Sequence, residues 1–347
     1  MSEINRQWVL TNHPTGMPSV ENFKMVEGEI PTIGEGQVLA HAIYLSLDPY
    51  MRGRISAAAN YAAGVSIGDC MHGGAVAEIV TSNHPDYQVG DIVENINFGW
   101  QDYAALNVDL GNGKKLHKVD QSLGPIHSAI GYLGMPGLTA YLALRDIGQP
   151  KAGDTVVISA ASGAVGQIAG QIAKIKGARP VAVASSQDKL DYCASLGYEA
   201  GINYRGVDDL EAAMKEACPD GVDVFFDNTA GPIHDAAMKN LAPFSRIIIC
   251  GTISLAGKFE EPDMGQRFMR QVLVARAKMQ GFLIFDYGEE DIIEARQQLA
   301  SWAKEGKLQH KEDIKQGFEK MPESFIDMLT SKNFGKLMVQ TRDDPTV

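Results

Sequence analysis

The chain has 347 residues, of which 45% are hydrophobic and 21% charged, the mixture of an ordinary folded protein at a length that suits two domains of roughly 150–200 residues. With 31 Lys and Arg against 43 Asp and Glu, the net charge is −12. Such a charge repels phosphate backbones and anionic lipid surfaces, so nucleic-acid and membrane partners are not expected. No run of about 18 apolar residues occurs, and the opening MSEINRQWVL has no basic stretch leading into an apolar one, so neither a membrane span nor a secretory signal is expected. Cys70, Cys193, Cys218 and Cys250 stand far apart without a CxxC pair, which is the cysteine usage of a reducing cytoplasm. Glycine is the informative excess: 36 residues, about one in ten against a usual ~7%.

Short β-like segments come first, at 8–10, 37–47, 74–80, 92–94 and 102–106, punctuated by Gly, Pro and Asn. They predict a mainly β domain of short strands. After about residue 130 apolar strand-length runs alternate with helical patterns: 155–159 then 164–176, 181–184 then 188–195, 201–203 then 208–216, and 222–226 then 232–241. Runs at 245–250 and 279–284 follow, each with a further helix. Repeated βα units predict a doubly wound parallel sheet with right-handed crossovers. Residues 309–319 and 335–340 read as strands flanking a helix near 322–329, and are expected to return to the first domain. The expected class is α/β, with a discontinuous mainly β domain (1–132 and 305–347) and a Rossmann domain (133–304) inserted in it.

The strand at 155–159 runs directly into Ala160-Ala161-Ser162-Gly163-Ala164-Val165-Gly166 and then a helix. This is a variant of the dinucleotide fingerprint with alanine at the first small position, where backbone N–H groups can meet a pyrophosphate at a helix amino terminus. The second strand selects the cofactor. An NAD site carries an acid at that strand's end to hold the ribose 2′-OH; here the strand ends in Ser185-Ser186-Gln187, and Asp188 falls one step later, in the first turn of the next helix. Lys189, Tyr204 and Arg205 surround the same corner. Hydroxyls and cations there suit the 2′-phosphate of NADPH.

Taken together, Leu45-Ser46-Leu47-Asp48-Pro49-Tyr50-Met51-Arg52-Gly53, Gly134-Met135-Pro136-Gly137-Leu138-Thr139-Ala140, the glycine turn, Phe226-Asp227-Asn228, Ile249-Cys250-Gly251 and Asn333-Phe334-Gly335-Lys336 resemble, in this order, the zinc-independent medium-chain dehydrogenases/reductases. The branch they resemble holds leukotriene B4 dehydrogenase/prostaglandin reductase, bacterial curcumin reductases and plant double-bond reductases. The resemblance covers nearly the whole chain. It implies a GroES-like catalytic domain beside the Rossmann domain, a homodimer, and NADPH-dependent saturation of a C=C bond conjugated to a carbonyl in a small hydrophobic enone or enal. It also implies cofactor contacts at Gly163, Ala164, Val165, Gly166, Ser185, Lys189, Tyr204, Asn228, Cys250, Gly251, Thr252, Phe282, Leu283 and Asn333, with Met135 and Thr139 at the domain junction. Two stretches depart from the family pattern: Ser185 stands where a glycine is usual, and Asp227-Asn228-Thr229-Ala230-Gly231 replaces D-N-V-G-G.

A structural zinc is not expected, because no cysteine lies between Cys70 and Cys193. Zinc-dependent relatives have G-H-E where this chain has Met71-His72-Gly73, so Cys70 and His72 are read as side chains packed beside the cleft. Without a metal, hydride transfer to the β-carbon leaves charge on the carbonyl oxygen, and the site needs a donor there and a proton route to the α-carbon. Tyr61 lies where the family places a tyrosine at the cleft and is the expected enolate stabiliser or proton donor. Tyr50, Arg52 and Tyr287 are candidates for substrate contact, with Tyr50 and Arg52 also suited to securing their loop by hydrogen bonds. Quinone reduction on the same fold, or cofactor binding without turnover, are the alternative functions.

Overall fold

The computed structural model describes residues 4–57, 62–111 and 114–347. Among these residues, seven strands precede the first long helix: β1 (Asn5–Leu10), β2 (Phe23–Gly28), β3 (Gln37–Ser46), β4 (Ala75–Ser82), β5 (Ile92–Asn95), β6 (Tyr103–Asn107) and β7 (His117–Lys118), with the short turn α1 (Met51–Arg54) between β3 and β4. The strands β1 and β2 form an antiparallel hairpin of their own, a pairing that the sequence reading missed because it recognised only residues 8–10. The long β3 is buried at almost every position and serves as the spine, pairing antiparallel with β4 and β6.

The second half opens with α2 (Met135–Ala143), whose Pro136 sits in the first turn, where its missing N–H costs nothing. There follow β8 (Thr155–Ser159), α3 (Gly166–Ile175), β9 (Arg179–Ala184), α4 (Gln187–Ser195), β10 (Ala200–Asn203), α5 (Leu210–Ala217), β11 (Val222–Asp227), α6 (Gly231–Lys239), β12 (Leu241–Ile249), α7 (Met269–Ala275), β13 (Lys278–Gly281) and α8 (Glu289–Lys304). Side chains of Ser186 and Asp209 cap α4 and α5. The strand order is β10-β9-β8-β11-β12-β13, all parallel, which is the doubly wound arrangement, with its reversal between β8 and β11. Val156–Ile158 and Val224–Phe226 are fully buried because helices cover both faces of the sheet.

The chain then returns as β14 (Glu312–Gln316), α9 (Met321–Leu329) and β15 (Lys336–Gln340). Strand β15 pairs antiparallel with β3, and β14 lies parallel to β15, completing the first sheet as β14-β15-β3-β4-β5-β7. The expected return is thus observed, with the strand predicted at 309–319 shortened to β14. Just before β15, Gly335 donates its N–H to the Ser162 carbonyl (3.1 Å) and forms a parallel bridge with Gly163. The last segment therefore lies against the glycine turn of the second sheet.

Candidate active site

The turn after β8 closes by a hydrogen bond from Gly163 N–H to the Ala160 carbonyl (2.9 Å). Ala160 holds φ +50°, so alanine has been fitted into a left-handed position that glycine adopts freely. A Cβ on Gly166 would collide with the carbonyls of Ala160 and Ala161, which fixes glycine where α3 begins. Among the described residues, the amides of Ala164, Val165 and Gly166 have no protein acceptor. Three open donors at the start of a ten-residue helix form an anion cradle that fits a pyrophosphate.

The corner at the end of β9 is basic. Lys189 is half-buried and donates from Nζ to the Ser331 carbonyl (2.7 Å), while Arg205 donates to the Thr330 carbonyl (3.3 Å) and lies over the Tyr204 ring at 5.7 Å. Burial, followed by the charge of Arg205, lowers the pKa of Lys189. A bound dianion would offset both by stabilising the charged ammonium. The Tyr204 amide bonds to Ala184 at the end of β9, and Ser185 and Ser186 lie between that strand and α4. The hydroxyls and cations expected here are therefore adjacent, and they fit the 2′-phosphate of NADPH.

Where the strand order reverses, Asp227 is fully buried and organises the turn that follows it. Its carboxylate accepts from Ser159 Oγ (3.1 Å), the amides of Thr229 and Ala230 (2.9 Å each) and His234 Nδ1 (2.8 Å). Asn228 is pinned to β8, donating its backbone N–H to Ser159 Oγ and its Nδ2 to the Ser159 carbonyl (2.8 Å each). The amides of Cys250 and Gly251 donate to the Asp227 carbonyl (2.8 and 3.1 Å), so the ends of β11 and β12 are joined. Burial, and then Asp227, push the Cys250 thiol up to about 12, which keeps it a neutral wall of the site. Thr252 and Leu283 are exposed and Phe282 is buried, its amide bonded to Ile249. Thr139 is buried on α2 and Met135 half-buried at that helix's start. Asn333 donates Nδ2 to the Gly335 carbonyl (3.1 Å), shaping the segment that crosses the glycine turn.

Profiles described as "N-terminal domain of oxidoreductase" and "Zinc-binding dehydrogenase" match residues 6–119 and 164–301. The NADPH-dependent curcumin reductase of Escherichia coli is 43% identical over 346 residues, 98% of each chain, and prostaglandin reductase 1 of Bos taurus is 38% identical over 96% of this chain and 98% of its own. Among solved structures, CurA of Vibrio vulnificus in complex with NADPH superposes with a TM-score of 0.91 at 41% identity, covering 98% of this chain and 100% of that one. The chain belongs to the zinc-independent medium-chain dehydrogenases/reductases. Its first sheet is the GroES-like part of that fold and its second the Rossmann part.

The family signature around residue 50 is placed less simply. The Tyr50 ring meets His72 edge-on at 5.6 Å, and Arg54 lies over Tyr50 at 5.7 Å. Arg52 is buried and bonded to Glu260, Ala256 and Gly16. Tyr287 stands away from both, beside Phe282 (5.5 Å) and with Arg145 5.9 Å from its ring centre. Tyr61 falls outside the described residues. A polar cavity of about 410 Å³ opens beside residues 63–65, lined among others by Arg54, Asp69, Cys70, His72, Asn97 and Gln101. Burial, and then Arg54, push His72 down to about 4, and burial pushes Cys70 up to about 12. Both are thus neutral near pH 7. Among the described residues, no group of three or more His, Cys, Asp and Glu side chains converges as metal ligands would.

Sequence reasoning missed the buried pair that carries the signature. Lys336 donates from Nζ to Asp48 Oδ1 (2.6 Å), Ser46 Oγ (2.7 Å) and the Leu47 carbonyl (2.9 Å), all three ammonium protons being used. Ser46 in turn donates to Asp48. Both residues lie in family motifs, but nothing in the spacing indicates that they meet.

Proposed function

We propose that this protein is an NADPH-dependent reductase that saturates the C=C bond of α,β-unsaturated carbonyl compounds. The observation that carries this reading is the match to the E. coli NADPH-dependent curcumin reductase across the whole chain, on a fold that keeps an open anion cradle at Ala164–Gly166 and a basic corner at Lys189. When bound, NADPH supplies the hydride that adds to the β-carbon. The amides of 164–166 would hold the pyrophosphate, and Lys189, Ser185 and Tyr204 the 2′-phosphate. Asn228, Cys250–Thr252, Phe282, Leu283 and Asn333 would line the track toward the nicotinamide, with Met135 and Thr139 beside it. Tyr61 would donate a hydrogen bond to the carbonyl oxygen as it becomes an enolate, or deliver the proton to the α-carbon. A neutral tyrosine suits either task; if it delivers the proton, the phenolate left behind is reprotonated from solvent before the next turnover.

The remaining assignments follow the same reading. The catalytic part comprises 1–132 and 305–347, and the NADPH-binding part 133–304. The protein works in the cytoplasm, a reading supported by its four free cysteines; no helix of the described residues is long and apolar enough to cross a membrane. It forms a homodimer through the edge of the second sheet. There β13 is the terminal strand, exposed at all four positions, with Phe244, Leu273, Val274 and Met279 exposed. An unpaired edge with apolar neighbours is a template for a second copy, and light scattering tests it: a mass of two chains is expected, and a single-chain mass would refute it.

The activity is tested by following NADPH absorbance with a trans-2-alkenal, curcumin and 1,4-naphthoquinone. Turnover of the first two is expected. Consumption with the quinone alone would establish the quinone reductase, and no consumption with any of them a binding protein. Replacing Tyr61→Phe should lower kcat about 10²-fold or more with NADPH affinity unchanged; wild-type turnover would remove Tyr61 from the mechanism.

A further inference from the structure

Arg52 belongs to the most specific motif in the chain, yet its surroundings give it work other than substrate contact. Its side chain is 2% exposed. Nε donates to the Ala256 carbonyl (2.8 Å), and Nη2 to the Gly16 carbonyl (2.9 Å) and both oxygens of Glu260 (2.9 and 3.1 Å). The Phe259 ring lies 5.0 Å from the guanidinium carbon. Ser56 Oγ donates to the same Glu260 oxygen at 2.9 Å. Arg52 and Ser56 sit on the loop that runs on in sequence to Tyr61. Glu260 and Ala256 sit on the segment that continues from Cys250–Thr252 at the end of β12, in the other half of the molecule.

The opposite end of the loop is also fastened. Asp48 is bound by Lys336, the residue after Gly335, whose amide meets Ser162 in the glycine turn. One loop is therefore tied at two points, one beside the glycine turn and the other beside the strand end at 250–252. A buried guanidinium without its carboxylate is an uncompensated charge, and here Nη2 holds Glu260 while Nε holds Ala256, so one side chain grips two points of the same segment. Parting the two halves at Glu260 would give up the ion pair together with the Ala256 and Phe259 contacts, so the pair favours the closed arrangement.

We propose that Arg52 and Glu260 form a clasp between the two halves that holds the loop at 50–56 against the segment at 253–260, which makes them positioning residues. The kinetic part of the test rests on the enone-reductase reading; the structural part does not. Glu260→Gln keeps the side-chain volume and removes the charge from a position one-third exposed, so it should fold even where the buried Arg52→Lys does not. In cofactor-free Glu260→Gln, amide hydrogen exchange at 50–56 and 253–258 should speed up about tenfold while the rest of the molecule is unchanged. NADPH affinity, read by fluorescence titration, should stay within about twofold, and kcat with an enone should fall about tenfold. Glu260→Asp should recover part of both losses. Wild-type exchange in both segments would overturn the clasp. So would faster exchange throughout the molecule with a parallel loss of NADPH binding, which marks a merely structural residue. If the wild-type protein does not reduce enones, the proposed function fails, and the exchange experiment still decides the clasp.

Discussion

The glycine turn and the loop at 46–56 treat their polar groups in opposite ways. At the turn, the amides of Ala164, Val165 and Gly166 find no acceptor among the described residues. In the loop, Asp48 is bound by the Lys336 ammonium, which has no proton to spare, and Arg52 is bonded into Glu260, Ala256 and Gly16. The contrast teaches how to read a motif. Donors left open mark where a ligand is to come, whereas charges already paired mark how the site is held. The most specific sequence in the chain, L-S-L-D-P-Y-M-R-G, contributes both of its charges to scaffolding.

Breaking the paired region should have the largest effect. Lys336→Met strands Asp48 in the interior and should cost about 3–5 kcal/mol in denaturant unfolding, whereas Asp48→Asn with Lys336→Met should recover a good part of it. Equal losses in the two variants would mean that the charge pairing is not what matters. The open region should respond in binding more than in stability. Lys189→Ala should weaken NADPH by about 1.5–3 kcal/mol, roughly ten- to a hundredfold, and leave NADH nearly untouched; equal losses for both cofactors would reduce Lys189 to a tether for Ser331. The smallest expected effect lies at Ala230, which holds φ +58° and ψ −160° under the grip of Asp227. That conformation is nearly restricted to glycine, so Ala230→Gly should stabilise the protein by about 1 kcal/mol, and an unchanged or lower melting temperature would show that the strain is absorbed elsewhere.

Sequence reached these two regions unequally, for a physical reason. The glycine turn is a local object: strand, tight turn and helix start follow one another over a dozen residues, so β8, α3 and the cradle could all be read in line. The missing acid after β9 and the nearby Lys189 were legible in the same way. The loop's partners are not local. Asp48 meets Lys336 and Arg52 meets Glu260 only because β15 pairs with β3 and the segment after β12 folds back over the loop. No periodicity encodes that meeting. For the same reason Arg52 could be suspected of a structural role but not given its partner, and Tyr287, read from its place after the last parallel strand, is found between Phe282 and Arg145. The carbonyls of Thr330 and Ser331 on the basic corner were likewise invisible, since a backbone acceptor leaves no mark on composition.

The central claim, that hydride goes to the β-carbon of an enone held beside NADPH, is tested most directly by turnover with cofactor deuterated at the nicotinamide C4 position that is transferred. The expected product is a saturated ketone or aldehyde that has gained one deuterium, on the β-carbon, and one hydrogen, with no deuterium on the carbonyl carbon. An allylic alcohol carrying deuterium at the carbonyl carbon would contradict it.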